Sequence, residues 1–278
     1  MINNFKVDQE HVNMRLDKFV RKYSKEESLA LIFSLIRKGN IKVNGKKSKE
    51  NYRLLINDEI YFPDNAKIEM GNTKINNNIN ISKFKDMIVF EDDDIFIINK
   101  PNNIPMHKGN NHEYGISEMA KKYYNNSNVN FANRLDLETA GLVIGTKNLN
   151  ILRKINQVIK DREILKKYIA MINSNNLKLN EKFIVEKPIE VTETGVKISE
   201  NGLYSKTIFK VINIEKDKAL LDVDLKTGRK HQIRVHLSSI NKPIIGDRKY
   251  GGITSNRMYL KCYRIKFLNY DIEIDKVF

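Results

Sequence analysis

An arginine and an aspartate stand two residues apart in Asn133-Arg134-Leu135-Asp136-Leu137-Glu138-Thr139-Ala140-Gly141-Leu142, in a loop that leads into an apolar run. A carboxylate there can act as a nucleophile or a base, and the guanidinium beside it can hold a phosphate or push aside a nucleobase. In an extended stretch Arg134 and Asp136 point to the same side, so an ordinary loop-corner ion pair of small energy accounts for them equally well. A second group is Thr227-Gly228-Arg229-Lys230-His231-Gln232-Ile233-Arg234-Val235-His236-Leu237. Thr227 as cap and Gly228 as turn predict a helix over 230–240, with His231, Arg234 and Ser238 on one face. Its basic start suits an anion. Ile233, Leu237 and Ile240 mark a buried face, and an arginine beside it needs a carboxylate partner; Asp136 is the candidate. Zinc held by His231 and His236 is not expected, since a spacing of five does not align them on a helix and the single cysteine, Cys262, offers no pair.

Two further stretches complete the set. In Lys166-Lys167-Tyr168-Ile169-Ala170, Tyr168 sits on a strand, and by itself it reads as a half-buried aromatic. Ile98-Asn99-Lys100-Pro101 ends a strand and Ile104-Pro105-Met106-His107 follows, a two-proline loop that suits either a cleft wall or a rigid surface. Neither GxGxxG nor GxxxxGK[ST] occurs, so no nucleotide cofactor is expected, and GxSxG and HExxH are absent too.

The elements that must position these residues follow from periodicity. Residues 12–62 read as a compact basic unit: Leu16, Phe19 and Val20, then Leu29, Ile32, Phe33 and Ile36, recur at helical spacing. A hairpin over 39–47 turning at Asn44-Gly45 follows, then a closing strand over 56–62. Residues 63–85, with Pro63, Gly71 and Asn76-Asn77-Asn78, read as a linker. Residues 86–278 form the larger domain. Strands are expected at Met87–Phe90, Ile95–Ile98, Leu142–Ile144 and Lys167–Ile172, a hairpin at Thr207–Ile214 and Ala219–Leu225, and strand segments over 258–274. Ile151, Leu152, Ile155, Val158 and Ile159 give a one-sided helix. Hairpins outnumber βαβ units, so the class is α+β, with a mixed, mainly antiparallel sheet and a small α/β amino-terminal domain.

The 278 residues carry 49 Lys and Arg against 34 Asp and Glu, a formal charge of +15. That excess points to a polyanion such as nucleic acid, although lysine-rich composition alone produces part of it. No apolar run reaches the ~18 residues of a membrane span and no signal pattern opens the chain, so a cytoplasmic, membrane-free protein is expected.

Together and in this order, Asn99-Lys100-Pro101, Asn133 to Leu142, Lys166 to Ala170, Thr227 to His236 and Pro243-Ile244-Ile245-Gly246-Asp247-Arg248-Lys249-Tyr250-Gly251-Gly252 resemble the RluA-type family of RNA pseudouridine synthases. The resemblance spans about 86–270. Residues 12–62 are similar to an S4 RNA-binding domain. The resemblance implies isomerisation of uridines in structured RNA, above all 23S ribosomal RNA, without cofactor or metal, by a monomer. It implies Asp136 as catalytic carboxylate, Tyr168 as active-site tyrosine, Arg234 as the ion-pair partner of Asp136, and Arg134 as the residue that displaces the base. Lys100, His107, Arg229 and His231 are then expected to bind substrate, with Arg15 and Lys42 contacting RNA from the amino-terminal unit. Departures stand at Asn133, where the family has His, at Ala140, where it has Ser, and at Leu260-Lys261-Cys262, where it has Leu-His-Ala. Three rivals remain: a silent ribosome-assembly factor, a synthase acting on transfer RNA, and a glycosidase-like hydrolase. The last would need a second carboxylate across the scissile bond, for which Glu138 is poorly placed.

Overall fold

The computed structural model describes residues 4–8, 11–23, 28–63, 81–108, 114–174, 176–193 and 195–278. The chain divides into two compact units, Met1–Ile75 and Asn76–Phe278. Most of the expected linker, 64–80, lies outside the described residues.

In the first unit, β1 (Asn4–Lys6) is followed by α1 (Leu16–Tyr23), α2 (Leu29–Lys38), β2 (Lys42–Val43), β3 (Lys46–Lys47) and β4 (Glu59–Tyr61). The Ser28 hydroxyl accepts the Leu31 amide at 3.2 Å to start α2, and Gly39, left-handed at φ 77°, ends it. Asn44 and Gly45 both take positive φ, as a two-residue hairpin turn with the strand twist requires. Leu16, Phe19, Val20, Ile32, Ile36, Ile41, Leu54 and Ile60 close one core beneath the sheet β1-β4-β2-β3.

The second unit begins at α3 (Ser82–Lys85). This corrects the far end of the expected linker, because Phe84 is fully buried and meets Phe96, Tyr123 and Tyr124. Then come β5 (Ile88–Glu91), β6 (Ile95–Lys100), α4 (Ile116–Tyr123), β7 (Asn130–Phe131), β8 (Ala140–Thr146), α5 (Leu149–Lys160) and β9 (Leu165–Asn173). They are followed by β10 (Lys182–Glu186), β11 (Ile189–Thr192), β12 (Gly195–Ile198), β13 (Lys206–Glu215), β14 (Lys218–Leu225), α6 (Gln232–Ser238), β15 (Leu260–Phe267) and β16 (Tyr270–Glu273). Ten strands form one sheet in the order β10-β13-β14-β9-β15-β8-β6-β5, with β16 on β15 and β7 on β8. Every pairing in it is antiparallel except β15 with β8, which agrees with a mixed, mainly antiparallel α+β class. Among the described residues no helix is long and apolar enough to cross a membrane.

The centre of this sheet is where the chemistry-bearing segments meet. β9 lies between β14 and β15, and β15 lies between β9 and β8. The loop before β8 carries Asp136, β9 carries Tyr168, and the segment after β14 runs into α6 with Arg234. Gly141 fixes the approach of β8 to β15: its φ is 110°, and a Cβ there would fall 2.1 Å from the Cys262 carbonyl oxygen.

Helix α6 is shorter than the expected 230–240. His231 occupies its N-cap in the left-handed region, φ 54° and ψ 18°, so the chain enters the helix from a kink and Thr227 is not the cap. The Thr227 hydroxyl instead donates to the Gln232 side-chain oxygen at 2.8 Å and accepts the Lys206 amide at 3.0 Å. Gln232 in turn donates to Thr207 at 2.9 Å and to the Lys206 carbonyl at 3.0 Å. The turn is thereby riveted to β13 by buried polar contacts.

Candidate active site

Asp136 sits in a loop held from three sides. Leu135 and Thr139 are buried, the Thr139 amide turns back to the Asp136 carbonyl at 3.1 Å, and the Asn103 amide donates to the Leu137 carbonyl at 2.9 Å. Asn102 donates from its side chain to the Glu138 carbonyl. The Asn133 side-chain oxygen accepts the Ile144 amide at 2.8 Å, while its buried amide nitrogen has no partner among the described residues. Lys100 completes the scaffold. It is fully buried, and its ammonium donates to the carbonyls of Pro101 at 2.9 Å, Ile104 at 3.0 Å and Leu137 at 3.0 Å. Burial pulls its pKa down to about 8, with Asp136 opposing. The sequence expectation of substrate contact by Lys100 is therefore corrected: strand β6 delivers it beneath the loop, where all its donors are spent on backbone.

The carboxylate of Asp136 emerges into a cavity of about 400 Å³ that also exposes Arg134, Tyr168, Arg229, His231 and Arg234. An adjoining groove of about 450 Å³ shares Arg134, Asp136, His231 and Arg234 and runs on to His107 and Lys108. His107 thus lines a groove that Asp136 also lines. Asp136 Oδ2 stands 3.6 Å from Arg234 Nη1 and 3.7 Å from His231 Nε2. Both are ion-pair distances, but longer than a hydrogen bond, so the oxygen is flanked without being clasped. A side chain about one-third exposed retains lone pairs that can be offered to a substrate.

The tight partners of Arg234 lie elsewhere. Its Nε and Nη2 donate to Asp247 at 2.7 and 2.8 Å in a bidentate fork, and Nη2 also donates to Glu138 at 3.0 Å. Asp247 is fully buried and Arg234 nearly so. Arg234 thus pairs with Asp136 at 3.6 Å but does not belong to it alone: three carboxylates share it, and Asp247 anchors it. The Asp247 side chain also accepts the amides of Lys249 and Tyr250 at 3.2 and 3.3 Å. The Tyr250 hydroxyl lies 2.7 Å from His231 Nδ1, which fixes that imidazole. Burial lowers the His231 pKa, against an opposing pull from Asp136, so the ring is neutral near pH 7.

Tyr168 is buried at the cavity wall. Burial first, then the Cys262 thiol and Asp136, hold its phenol well above its ordinary value. It therefore stays protonated and presents an aromatic face. Arg134 is exposed and, among the described residues, forms neither a hydrogen bond nor an ion pair with Asp136. Arg229 lines the cavity, half-buried, with its Nε 3.3 Å from the Tyr204 carbonyl. In the first unit Lys42 is exposed on β2. Arg15 closes its fork on Asp17 at 3.0 and 2.8 Å and keeps its side chain 37% exposed.

Residues 94–239 match the model of the RNA pseudouridylate synthase family, and residues 14–60 match the S4 domain. The chain belongs to the RNA pseudouridylate synthase family. It is an RNA pseudouridine synthase with an S4 domain ahead of its catalytic fold. Over 243 residues it is 34% identical to the ribosomal large subunit pseudouridine synthase C of Buchnera aphidicola subsp. Baizongia pistaciae, covering 85% of this chain and 77% of the relative. It is 27% identical to the protein of the same name from Escherichia coli (strain K12), covering 94% of this chain and 87% of that one. The fold also aligns with human RNA pseudouridylate synthase domain containing 1 at a TM-score of 0.58 and 20% identity, over 67% of this chain and 81% of that one.

Within this synthase fold, Asp247, Glu138 and Tyr250 take up positions that the sequence reading left without a role. A signal existed for Asp247. A buried arginine demands a carboxylate that is itself buried, and Gly246-Asp247 follows the apolar run Ile244-Ile245.

Proposed function

We propose that this synthase converts uridines of large-subunit ribosomal RNA to pseudouridine, with Asp136 as the catalytic carboxylate. The observation that carries this reading is a cavity lined by both the partly exposed Asp136 and the buried Tyr168, with Arg234 and His231 within 3.7 Å of the carboxylate. The substrate assignment is supported by relatives named ribosomal large subunit pseudouridine synthase C.

In this reading a target uridine leaves its stack, at a cost of a few kcal/mol, and Arg134 at the exposed mouth fills the space it vacates. The base lies on Tyr168. Asp136 then either attacks C1′ or removes the C2′ proton, the N1–C1′ bond breaks, the uracil turns, and C5 bonds to C1′. His231, neutral and fixed by Tyr250, leaves the charge of Asp136 unopposed on that side. Arg234, tied to Asp247, keeps the carboxylate oriented without consuming its lone pairs. The phenol of Tyr168 acts as a stacking surface, since a protonated hydroxyl is a poor acceptor for the C5 proton.

Residues 12–62 serve as the RNA-binding domain, the segment between it and α3 as its connection to the catalytic domain that α3 opens, and Lys18, Lys42 and Lys46 as phosphate contacts. The protein works as a monomer in the cytoplasm, without a nucleotide cofactor. The test is to map pseudouridines in ribosomal and transfer RNA from cells with and without the gene. Loss of one or more sites in large-subunit RNA is expected, and losses confined to transfer RNA would replace the substrate assignment.

A further inference from the structure

Lys166 stands next to the cavity lining, and the mechanism leaves it unused. It shares a face of β9 with Tyr168, two residues on, because side chains alternate along a strand. Its ammonium reaches the turn before α6: a Cβ built on Gly228 would stand 3.6 Å from Lys166 Nζ, and Gly228 lines the Asp136 cavity. Across the β9–β15 pairing, Cys262 is the register partner of Tyr168. The thiol is completely buried and exchanges a hydrogen bond with the phenol.

Lys166 is half-buried, and desolvation lowers its pKa. Among the described residues no carboxylate forms an ion pair with it. The interacting group nearest in charge is Cys262, and burial pushes that thiol up to about 12. It therefore stays protonated and supplies no compensating charge. Even partial withdrawal of a cation from water is costly where no counter-charge offsets it. The cost is recovered if the substrate brings negative charge to that spot. Lys166 shares a strand face with Tyr168, on which the base lies in the proposed mechanism, so the charge it meets is on the base.

We propose that Lys166 is a catalytic residue of the pseudouridine reaction, its ammonium stabilising the negative charge that gathers on uracil as the N1–C1′ bond breaks. This rests on the reading of Asp136 and Tyr168 given above. When the bond breaks, its electron pair leaves with N1 and uracil becomes an anion. Asp136 either bonds to C1′ or takes the C2′ proton. The turned ring then attacks C1′ through C5, releasing Asp136, or with the proton returned to C2′. C5 loses its proton and N1 gains one. Lys166 keeps its protons throughout and acts by charge alone.

The experiment uses the full chain under single-turnover conditions on 23S ribosomal RNA transcripts made with either UTP or 5-fluoro-UTP, with C-glycosides counted by nuclease digestion and mass spectrometry. Fluorine at C5 stabilises the uracil anion, so the departing base depends less on Lys166. For Lys166→Met the rate on uridine should fall about 100-fold, with a deficit about tenfold smaller on the fluorinated transcript; RNA affinity should be unchanged, and Lys166→Arg should recover most of the rate. Equal deficits on both transcripts, or a weakened RNA affinity with an unchanged rate, would assign Lys166 to a backbone phosphate or to packing and overturn the proposal. A wild-type rate would also overturn it. Should the methionine variant lose its melting transition, Lys166→Gln carries the same comparison. An inactive Asp136→Asn beside an unaffected Lys166→Met refutes only this inference, whereas an active Asp136→Asn refutes the site reading beneath it.

Discussion

Replacing Asp247 with asparagine should damage this protein more than any single change at the exposed mouth of the cavity. Asp247 is completely buried and holds the nearly buried Arg234 through two contacts of 2.7 and 2.8 Å. Asparagine keeps the shape but removes the charge and turns an amide toward the guanidinium. Two charge-assisted hydrogen bonds of about 1.5–3 kcal/mol each are lost, and breaking a buried ion pair costs about 3–5 kcal/mol. Glu138 at 3.0 Å and Asp136 at 3.6 Å absorb part of the freed charge, so the lower end, about 3 kcal/mol, is the expected loss. For a domain of this size that lowers the melting midpoint by about 10 °C. The guanidinium should also swing toward Asp136, shorten the 3.6 Å separation and occupy lone pairs the reaction needs. The turnover rate should therefore fall while RNA affinity holds. Glu138→Gln provides the control: that side chain is one-third exposed, and its pair should be worth about 1 kcal/mol or less. Denaturant and thermal unfolding of the full chain, alongside single-turnover conversion, read both effects. An unchanged midpoint for Asp247→Asn, or an equal loss for Glu138→Gln, would refute the reasoning.

Three further outcomes follow from the same geometry. Lys100→Met withdraws the ammonium from three backbone carbonyls and should cost about 3 kcal/mol, with activity lost in step with stability as the Asp136 loop loosens; a stable variant with weakened RNA binding alone would restore a substrate role. Arg134→Ala removes an exposed side chain, so stability should stay within about 0.5 kcal/mol while conversion slows at least tenfold; an unaffected rate in a single-turnover assay would exclude base displacement by Arg134. His236 is fully buried between Thr207 at 2.9 Å and the Lys187 carbonyl at 3.1 Å, and burial, helped by the Lys187 charge against that carbonyl bond, lowers its pKa. The unfolded chain then binds the extra proton first, so stability is full above about pH 6.5 and falls as pH drops below it, by at most about 1.4 kcal/mol per pH unit. Urea titrations from pH 8 to 5 should give a shallower fall for His236→Asn than for wild type, and parallel curves would contradict this assignment.

The strands and α5 were legible because their apolar spacing is unambiguous, as in Ile95 to Ile98 and Ile151 to Ile159. Helix α4 and strands β10 to β12 carry no clear periodic signal, since Ile116–Tyr123 has as many polar as apolar residues and Lys182–Glu186 is only five residues long, and only tertiary contacts decide them. The start of α6 is not legible because the kink at His231 requires φ 54°, which is uncommon for any residue but glycine even though histidine tolerates it better than most. The site residues Asp136, Tyr168 and Arg234 were singled out from motif order, and the fold brings them into one cavity. Lys100 was misassigned because a lysine at a strand end reads as exposed, whereas here three carbonyls bury it. The anchor of Arg234 was missed because pairing at 13 residues' separation, across a loop, has no periodic signature.

The central claim is that the Asp136 carboxylate performs the chemistry. Single-turnover pseudouridine formation by purified wild type and Asp136→Asn, on unmodified 23S ribosomal RNA at matched and saturating protein, tests it most directly. No pseudouridine above background is expected from the variant, with its melting midpoint and RNA affinity retained. Conversion by Asp136→Asn at the wild-type rate would contradict the account.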